Sequence, residues 1–237
     1  MHLKVKFKGT KLGLLWAAVE PLLIFVLLYV VFTSVRESIR EDFAIYLISG
    51  IVLFHVFIKG TNNGLTSFRD YSPIIKSISI NKELFPVIVT GAMAILSIVE
   101  LAVFFGLMPF FGFTPPWTVA FLPVVFLLLL GLVLGLSYLL SIAFVYFRDI
   151  QPLWGVFAYS MIFVSPIFWY VEDAFEPLLT IQKINPLGQL IEFSHQLVFG
   201  NVPSLNDWLY TSGIILVILF VGYYLFQKFN IKAVEKL

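Results

Sequence analysis

Residues 118–146 read TVAFLPVVFLLLLGLVLGLSYLLSIAFVY, a stretch that contains no Asp, Glu, Lys or Arg. A helix needs about 20 apolar residues to cross the hydrocarbon core of a bilayer, and this stretch is long enough to do so. Five other apolar runs lie along the chain. We therefore predict an all-α integral membrane protein with six transmembrane helices, near residues 14–35, 43–60, 84–108, 118–146, 153–170 and 208–227.

The composition of the whole chain agrees with this fold class. Of its 237 residues, 60% are hydrophobic and only 12% are charged, whereas about 25% of the residues of a soluble domain are charged. The absence of Cys excludes disulfides, thiolate metal sites and cysteine nucleophiles. The first apolar run, from Gly13 to Val35, exceeds the roughly 7–15 residues of a signal-peptide core, so we expect a retained membrane helix.

The distribution of charge predicts the orientation of the chain. With the N-terminus inside, the outer segments hold only Arg36, Arg40 and Lys183, while the cytoplasmic segments hold twelve cations. Cytoplasmic loops are enriched in Lys and Arg, so this orientation is favoured and both termini are expected in the cytoplasm. The twelve are Lys4, Lys6, Lys8, Lys11, Lys59, Arg69, Lys76, Lys82, Arg148, Lys228, Lys232 and Lys236.

The segment between the last two predicted spans, near residues 171–207, is too apolar for a solvated loop. Asn185 followed by Pro186 is typical of a helix N-terminus, and Gly200 is a plausible stop. A helix of about 14 residues would reach about 21 Å, too short to span. It is therefore expected to be re-entrant or amphipathic on the outer face; a helix lying flat on the outer leaflet fits the composition equally well.

Motifs for catalysis are missing. The chain has no G-x-x-x-x-G-K-[ST] loop and no H-E-x-x-H, and its histidines (His2, His55 and His195) are widely separated. We predict no enzymatic activity, no metal site and no cofactor on this chain. Any energy source must then be an ion gradient or a separate subunit.

Two carboxylates, Glu20 and Glu100, fall inside predicted spans. Glu20 is expected near the inner interface, whereas Glu100 lies near the middle of the third span and needs a partner, a polar cavity or another subunit. A structural hydrogen bond is one interpretation and a proton relay is the alternative. His55 is expected to be a packed, hydrogen-bonded residue, and two isolated acids would make a poor relay.

Two other sequence features concern helix packing and ligand contact. Gly131 and Gly135 form a G-x-x-x-G spacing that permits close approach of helices, although alone it is a weak signal. Aromatic residues make up 17% of the chain, and many belong to an ordinary interfacial belt. Flat rings also suit the apolar C–H faces of sugars. The candidate channel aromatics are Phe157, Tyr159, Phe163, Phe168 and Trp169.

Four segments together resemble the permeases of polysaccharide-exporting ABC transporters. The first is VKFKGTKLGLLWAAVEPLLIFVLLYVVF, with Leu12, Gly13, Leu15, Trp16 and Pro21 in the L-G-x-L-W and Pro positions. The others are FRDIQPLW at 147–154, SPIFWY at 165–170 and INPL at 184–187, in the family's order. Each motif is loose, but the combination is specific.

The resemblance implies a homodimer with a central channel, powered by two ATP-binding-cassette subunits that carry ATP and Mg. It implies an undecaprenyl-diphosphate-linked polysaccharide as substrate, with membrane lipid but no nucleic acid as a further partner. It assigns coupling to the ATPase to a cytoplasmic segment near 61–82 and an outer gate to 171–207. The implied coupling residues are Phe68, Arg69, Asp70, Tyr71, Arg148 and Asp149; the implied gate residues are Asn185, Pro186, Glu192 and His195.

Cations near the inner surface are open to two interpretations. Lys4, Lys6, Lys8 and Arg69 could attract the lipid diphosphate, or they could serve only as positive-inside anchors. As a whole, residues 1–237 are expected to form one permease domain of the bacterial cytoplasmic membrane that exports O-antigen-like polysaccharide. The alternatives are the same architecture exporting a drug or small lipid, and a proton-coupled secondary transporter.

Overall fold

The computed structural model describes residues 16–35, 40–77 and 81–234, and within these ranges the chain is helical and contains no β-strand. Short 3₁₀ turns at Pro109–Phe111, Trp117–Phe121 and Val171–Asp173 join some of the helices. In chain order the helices are α1 Trp16–Val35, α2 Phe43–Asp70, α3 Ser72–Ser77, α4 Leu84–Leu107, α5 Leu122–Tyr146, α6 Ile150–Val164, α7 Glu176–Ile184, α8 Pro186–Val198 and α9 Leu205–Val234.

Helix α2 is the centre of the bundle. Nearly all of its residues are buried, and it packs against α1, α4, α5 and α8. Leu47, Ile51 and Val56 are completely enclosed. A helix that is apolar all round is suited to the interior of a membrane bundle, so α2 is the element on which the other helices are assembled.

Five helices, α1, α2, α4, α5 and α9, are long and apolar enough to cross a membrane, which agrees with a multi-pass membrane protein. The remaining predicted span, 153–170, corresponds to α6, whose 15 residues reach about 22 Å. That is shorter than the hydrocarbon core of about 30 Å. Length therefore supports five spans, and the crossing assigned to 153–170 is not confirmed.

Two prolines explain why α6 differs from its predicted bounds. Pro152 lies in the first turn of the helix, where its missing N–H is not needed, so the helix begins at Ile150 and not after the proline. At the other end, Ser165 precedes Pro166 and is extended (φ −93°, ψ 147°). The residue before a proline is disfavoured in the α region, and α6 therefore ends at Val164.

Helix α2 continues ten residues past residue 60, where the predicted span ends. The polar run there contains Thr61, whose hydroxyl donates to the carbonyl of Phe57, and Gly64, which packs against Ser137 of α5. Packing of the helix overrides the low helix propensity of these residues. At 28 residues, α2 is about 42 Å long and extends beyond a hydrocarbon core on at least one side.

Helices α5 and α9 approach so closely that backbone touches backbone. A Cβ added to Gly135 would lie 2.8 Å from Cα and 2.9 Å from N of Leu219, and one added to Gly222 would collide with the carbonyl of Gly135. Gly131, by contrast, has its nearest neighbour at 3.5 Å, an ordinary contact. The predicted G-x-x-x-G contact is thus present, but only its second glycine is tightly packed.

The segment between α6 and α9, predicted to lie on the outer face, contains two short helices, α7 and α8. Asn185 caps α8 as predicted: its side-chain oxygen accepts from the backbone N–H of Leu187 at 3.1 Å, and Pro186 is the first helical residue. Gly200 follows the helix with φ +88°, a conformation that favours glycine. Nine of the thirteen residues of α8 are buried, against α2, α5 and α9. This burial favours a helix inserted into the bundle over one lying flat on lipid.

Candidate functional site

Four ionisable side chains meet where α1, α2 and α4 pack together; two of them, His55 and Glu100, are buried, and the other two are partly exposed. His55 Nδ1 lies 2.9 Å from Oε1 of Glu100, and His55 Nε2 lies 3.5 Å from Oε2 of Glu20. Lys59 Nζ is 2.5 Å from the other oxygen of Glu20. We call these four residues the charged cluster. It connects α1, α2 and α4.

The charged cluster confirms two expectations and corrects three. Glu100, 1% exposed, does have a buried partner, as its position required, and His55 is hydrogen-bonded as expected. The two acids are not isolated, since both contact His55. Glu20 is not simply an interfacial acid, because it lies level with His55, and Lys59, counted among the cytoplasmic cations, is inside α2.

Helix α6 carries three of the five candidate channel aromatics on open surfaces. Tyr159 and Phe163 follow Val156 at helical spacing and all three are exposed on one face, while Phe157 is exposed on the adjoining face. The opposite face is covered: Ala158 is buried. Within the described chain, the exposed face of α6 has no packing partner large enough to cover it.

The other two channel aromatics lie in the turn after α6. Phe168 stacks on Phe32 of α1 with ring centroids 4.9 Å apart, and it meets Phe163 edge-on at 5.9 Å. The indole N–H of Trp169 donates to the carbonyl of Phe163 at 3.1 Å. Phe168 and Trp169 are half-buried, so they connect the α6 surface to α1 and are less available than the three on the helix.

The predicted coupling residues come together at the end of α2. Arg69 extends over the ring of Phe144 in α5, 4.9 Å from its centroid, and its guanidinium also pairs with Asp70 at 3.1 Å. Phe144 precedes the turn that holds Arg148 and Asp149, both exposed. The two segments predicted to be cytoplasmic, 68–71 and 148–149, are therefore near neighbours.

Two of the coupling residues have a supporting role in this arrangement. Phe68 is fully buried, edge-on to Phe226 of α9 at 5.6 Å, so it supports the segment from within and offers no surface to a partner. Tyr71 packs on Phe85 of α4 at 5.1 Å. Partial burial, and then the neighbouring Asp70 carboxylate, raises the pKa of Tyr71, so its hydroxyl stays protonated at neutral pH. Of the proposed lipid-attracting cations, Lys4, Lys6 and Lys8 lie outside the described residues.

The predicted gate residues lie where α8 meets α2 and the end of α6, a contact region that we call the outer junction after the predicted outer gate. His195, 2% exposed, stacks on Tyr46 of α2 at 3.6 Å, and its Nε2–H donates to the carbonyl of Tyr46 at 3.1 Å. Asn185 donates to the hydroxyl of Ser165 at 3.1 Å, which ties α8 to the end of α6. Glu192 accepts from Gln196 at 3.1 Å. Asn185, Pro186, Glu192 and His195 are thus in or beside α8, with only His195 reaching α2.

Sequence reasoning missed the residues that complete this junction. Arg40 lies over the ring of Tyr170 at 4.0 Å and pairs with Glu172 at 3.3 Å and Asp173 at 3.4 Å. Tyr46 donates to the carbonyl of Trp169 at 2.8 Å. These pairs join positions more than 120 residues apart, and no local pattern signals them. A metal site is not formed by any His, Asp or Glu group in the described part of the chain.

Comparison with known proteins gives a consistent result. A family model described as "ABC-2 type transporter" matches residues 2–199. The O-antigen export system permease protein RfbA of Klebsiella pneumoniae is 27% identical, covering 98% of this chain and 90% of its own length. The protein of the same name in Myxococcus xanthus is 24% identical, covering 96% of this chain and 88% of its own length. The polysialic acid transport protein KpsM of Escherichia coli is 22% identical, covering 95% of this chain and 89% of its own length.

Proposed function

The chain belongs to the ABC-2 type transporter family, and from this membership we propose that it is the channel-forming permease subunit of an ATP-driven exporter of lipid-linked polysaccharide. The observation that carries the proposal is its similarity, over nearly its whole length, to O-antigen export permeases. KpsM, a relative named for polysialic acid transport, supports polysaccharide as the broader substrate class. The family is a permease family, so the ATP is hydrolysed on a separate subunit.

The proposed assembly contains two copies of this chain and two ATPase subunits in the bacterial cytoplasmic membrane. Residues 1–237 form one permease domain with six crossings, α6 and the turn after it making the fifth, and both termini are cytoplasmic. The strong bias of Lys and Arg supports this orientation. The exposed face of α6, uncovered in a single copy, supports a channel completed by a second copy. Half of that channel is encoded here.

Polysaccharide suits the exposed aromatic face of α6 because sugar rings present apolar C–H groups to flat side chains. We expect Phe163→Ala to lower export about two- to tenfold. One aromatic contact contributes about 0.5–1.5 kcal/mol, and losing that free energy changes a rate by this factor. The melting midpoint should not change, since Phe163 is 66% exposed and supports little of the core. Export is measured as polymer reaching the outer surface of cells expressing equal amounts of protein.

The matched control is Phe220→Ala. Phe220 lies on α9, is 71% exposed and has the same side chain, but it is outside the proposed channel. It should leave both export and melting unchanged. Equal losses of export in the two variants would show that general aromatic exposure to lipid, and not a channel contact, is responsible.

Coupling to the ATPase is assigned to α3 together with the ends of α2 and α5. Ile74 is 42% exposed on α3, whereas the next residue, Ile75, is buried. An exposed apolar residue beside charged groups is suited to anchor a partner. We expect Ile74→Asp to weaken association with the ATPase at least tenfold, because a charge in an apolar contact costs more than 1.4 kcal/mol.

Association is measured by co-purification and by ATPase stimulation in proteoliposomes. Ser77→Asp places the same charge at another exposed position of α3 and is the control. If both variants associate normally, the ATPase docks elsewhere. If both lose association equally, the effect is one of added charge and not of the Ile74 anchor.

The proposed function is tested with the purified chain alone and with its ATPase. The chain alone should not hydrolyse ATP, and the complex should. Cells lacking the chain should accumulate polymer on its carrier lipid inside, which distinguishes polysaccharide export from export of a drug or small lipid. Hydrolysis by the chain alone, or normal polymer at the surface of the deletion strain, would rule the proposal out.

Positive charges near the inner surface provide the proposed attraction for the lipid diphosphate. Lys4, Lys6, Lys8 and Arg69 are assigned this role, and their alternative is that of positive-inside anchors. Arg69 supports the alternative in one respect, because its guanidinium is already engaged by Asp70 and by the face of Phe144.

A further inference from the structure

The outer junction encloses a cleft of about 190 Å³ between the N-terminal end of α2, the C-terminal end of α8 and the turn at 170–172. Pockets that hold drug-sized ligands measure roughly 300–1,000 Å³, so this cleft has room for one ring-sized unit. Its lining combines aromatic rings with hydrogen-bonding side chains. The residues used below are Tyr46, Tyr170, Glu192, His195, Gln196 and Asn201.

The cleft is built on a rigid base. The ring of Tyr46 stacks on that of His195, with centroids 3.6 Å apart, and meets that of Tyr170 at a tilt of 42°, with centroids 4.3 Å apart. The backbone carbonyl of Tyr46 accepts a hydrogen bond from Nε2–H of His195, and the hydroxyl of Tyr46 donates to the backbone carbonyl of Trp169. Because both rings of the Tyr46–His195 pair are almost fully buried and hydrogen-bonded, the shape of the cleft is determined before any ligand arrives.

Polar groups at the cleft lack a full set of partners within the described residues. Nδ1 of His195 is enclosed and has no hydrogen-bond partner there, while its Nε2–H donates to the carbonyl of Tyr46. Oε2 of Glu192 lies 3.9 Å from that Nδ1, and the Glu192 side chain is partly exposed. A carboxylate oxygen only accepts, so a group that binds it from the cleft must be a donor, such as the hydroxyl of a ligand or of a water that the ligand orders.

The charge around the cleft limits what enters. The lining carries the carboxylates of Asp42, Glu172 and Glu192 against one guanidinium, that of Arg40. Arg40 is already engaged by Glu172, Asp173 and the ring of Tyr170. An excess of acceptors and negative charge repels phosphate and carboxylate groups and favours hydroxyl or ammonium donors.

We propose that this cleft is a subsite for a single neutral or amine-bearing monosaccharide unit, which it binds at the outer end of the translocation path. The carboxylate of Glu192 accepts from the hydroxyls of the sugar, and the amides of Gln196 and Asn201 accept from and donate to them. This inference rests on the proposed function for the identity of the polymer. It adds a site that holds one unit of the chain as it emerges.

The subsite is tested with the full chain in lipid nanodiscs, without its ATPase. The probes are the methyl glycosides of glucose, mannose and galactose, with glucosamine as the cationic and glucuronate as the anionic arm. Binding is measured by saturation-transfer NMR. A saturable signal is expected for at least one neutral or cationic sugar and none for glucuronate.

Two variants and one control locate the signal. Asn201→Ala should weaken the apparent affinity about two- to tenfold, the equivalent of one neutral hydrogen bond. Glu192→Gln should weaken it about tenfold or more, since hydrogen bonds to charged groups are stronger. Asn206→Ala removes the same amide from an exposed position of α9, outside the cleft lining, and should leave binding unchanged.

The outcomes separate this inference from the proposed function. No saturable binding of any probe, a preference for glucuronate, or equal affinity of Asn201→Ala and the unchanged protein would each overturn the subsite while leaving the exporter proposal intact. Conversely, sugar binding that Asn201→Ala weakens, in a protein whose deletion leaves polymer at the cell surface, would sustain the subsite and refute polysaccharide export.

Discussion

Gly135→Val is expected to prevent the folded protein from accumulating, because α9 then has no room beside α5. The new Cβ alone would lie 2.8 Å from Cα and 2.9 Å from N of Leu219, closer than side chains and backbone approach in real structures. Overpacking a rigid site costs about 1–3 kcal/mol even when side chains can adjust. Here the obstacle is backbone, and the two γ-methyl groups of valine enlarge the clash.

The effect is read as the amount of protein in the membrane and as the melting midpoint after purification. We expect a marked fall in both for Gly135→Val, and a smaller but clear fall for Gly135→Ala. The matched control is Gly131→Ala, four residues earlier on α5, where the nearest atom is Cγ2 of Ile215 at 3.5 Å. Alanine there makes ordinary contacts and gains helix propensity. Equal destabilisation at 131 and 135 would contradict the close crossing at Gly135.

The same pair of glycines shows how far the sequence alone can go. A G-x-x-x-G spacing is visible within one helix, but the glycine that bears the contact is selected by the partner helix, more than 80 residues later. Hydropathy predicts the long spans well because it depends on local sequence alone. Each membrane helix forms its backbone hydrogen bonds within its own segment, so no distant residue is needed to define it. The continuation of α2 past residue 60 is not predictable from the sequence, because Gly60, Asn62 and Gly64 have low helix propensity and the packing of Gly60 and Gly64 on α5 is visible only in the structure.

The candidate sites show the same difference between features set by neighbouring residues, which are predictable, and contacts between distant helices, which are not. The cap of α8 was predictable because Asn185 and Pro186 act within one turn of the chain. The end of α6 is also a local feature, because Ser165 precedes Pro166 and the residue before a proline is disfavoured in the α region. The charged cluster and the outer junction depend on contacts between distant helices, and no spacing in the sequence relates Glu20 to Lys59 or Arg40 to Tyr170.

Replacing Glu100 tests whether the charged cluster supports structure or moves protons. Glu100→Gln keeps an oxygen in place to accept from Nδ1 of His55, so we expect nearly unchanged melting and nearly unchanged export. A proton-coupled transporter predicts the opposite, because an amide cannot exchange the proton. Loss of transport with an intact fold in Glu100→Gln would therefore favour ion coupling over an ATP-driven mechanism.

Glu100→Leu removes the partner and is expected to be far more damaging. It leaves His55 buried without its hydrogen bond, at a cost of about 1–3 kcal/mol, rising to about 3–5 kcal/mol when the pair is ionised. The double variant His55→Leu with Glu100→Leu replaces both polar groups by apolar ones and should melt above Glu100→Leu alone. Glu20 keeps Lys59 as its partner in that variant.

The comparison of the double variant with the two single variants measures how far His55 and Glu100 stabilise each other. If the loss of stability in the double variant equals the sum of the losses in His55→Leu and Glu100→Leu, the two residues do not stabilise each other. Recovery of stability in the double variant, together with the retained export of Glu100→Gln, would show that the charged cluster has a structural role, which is to stabilise the packing of α1 and α4 on α2.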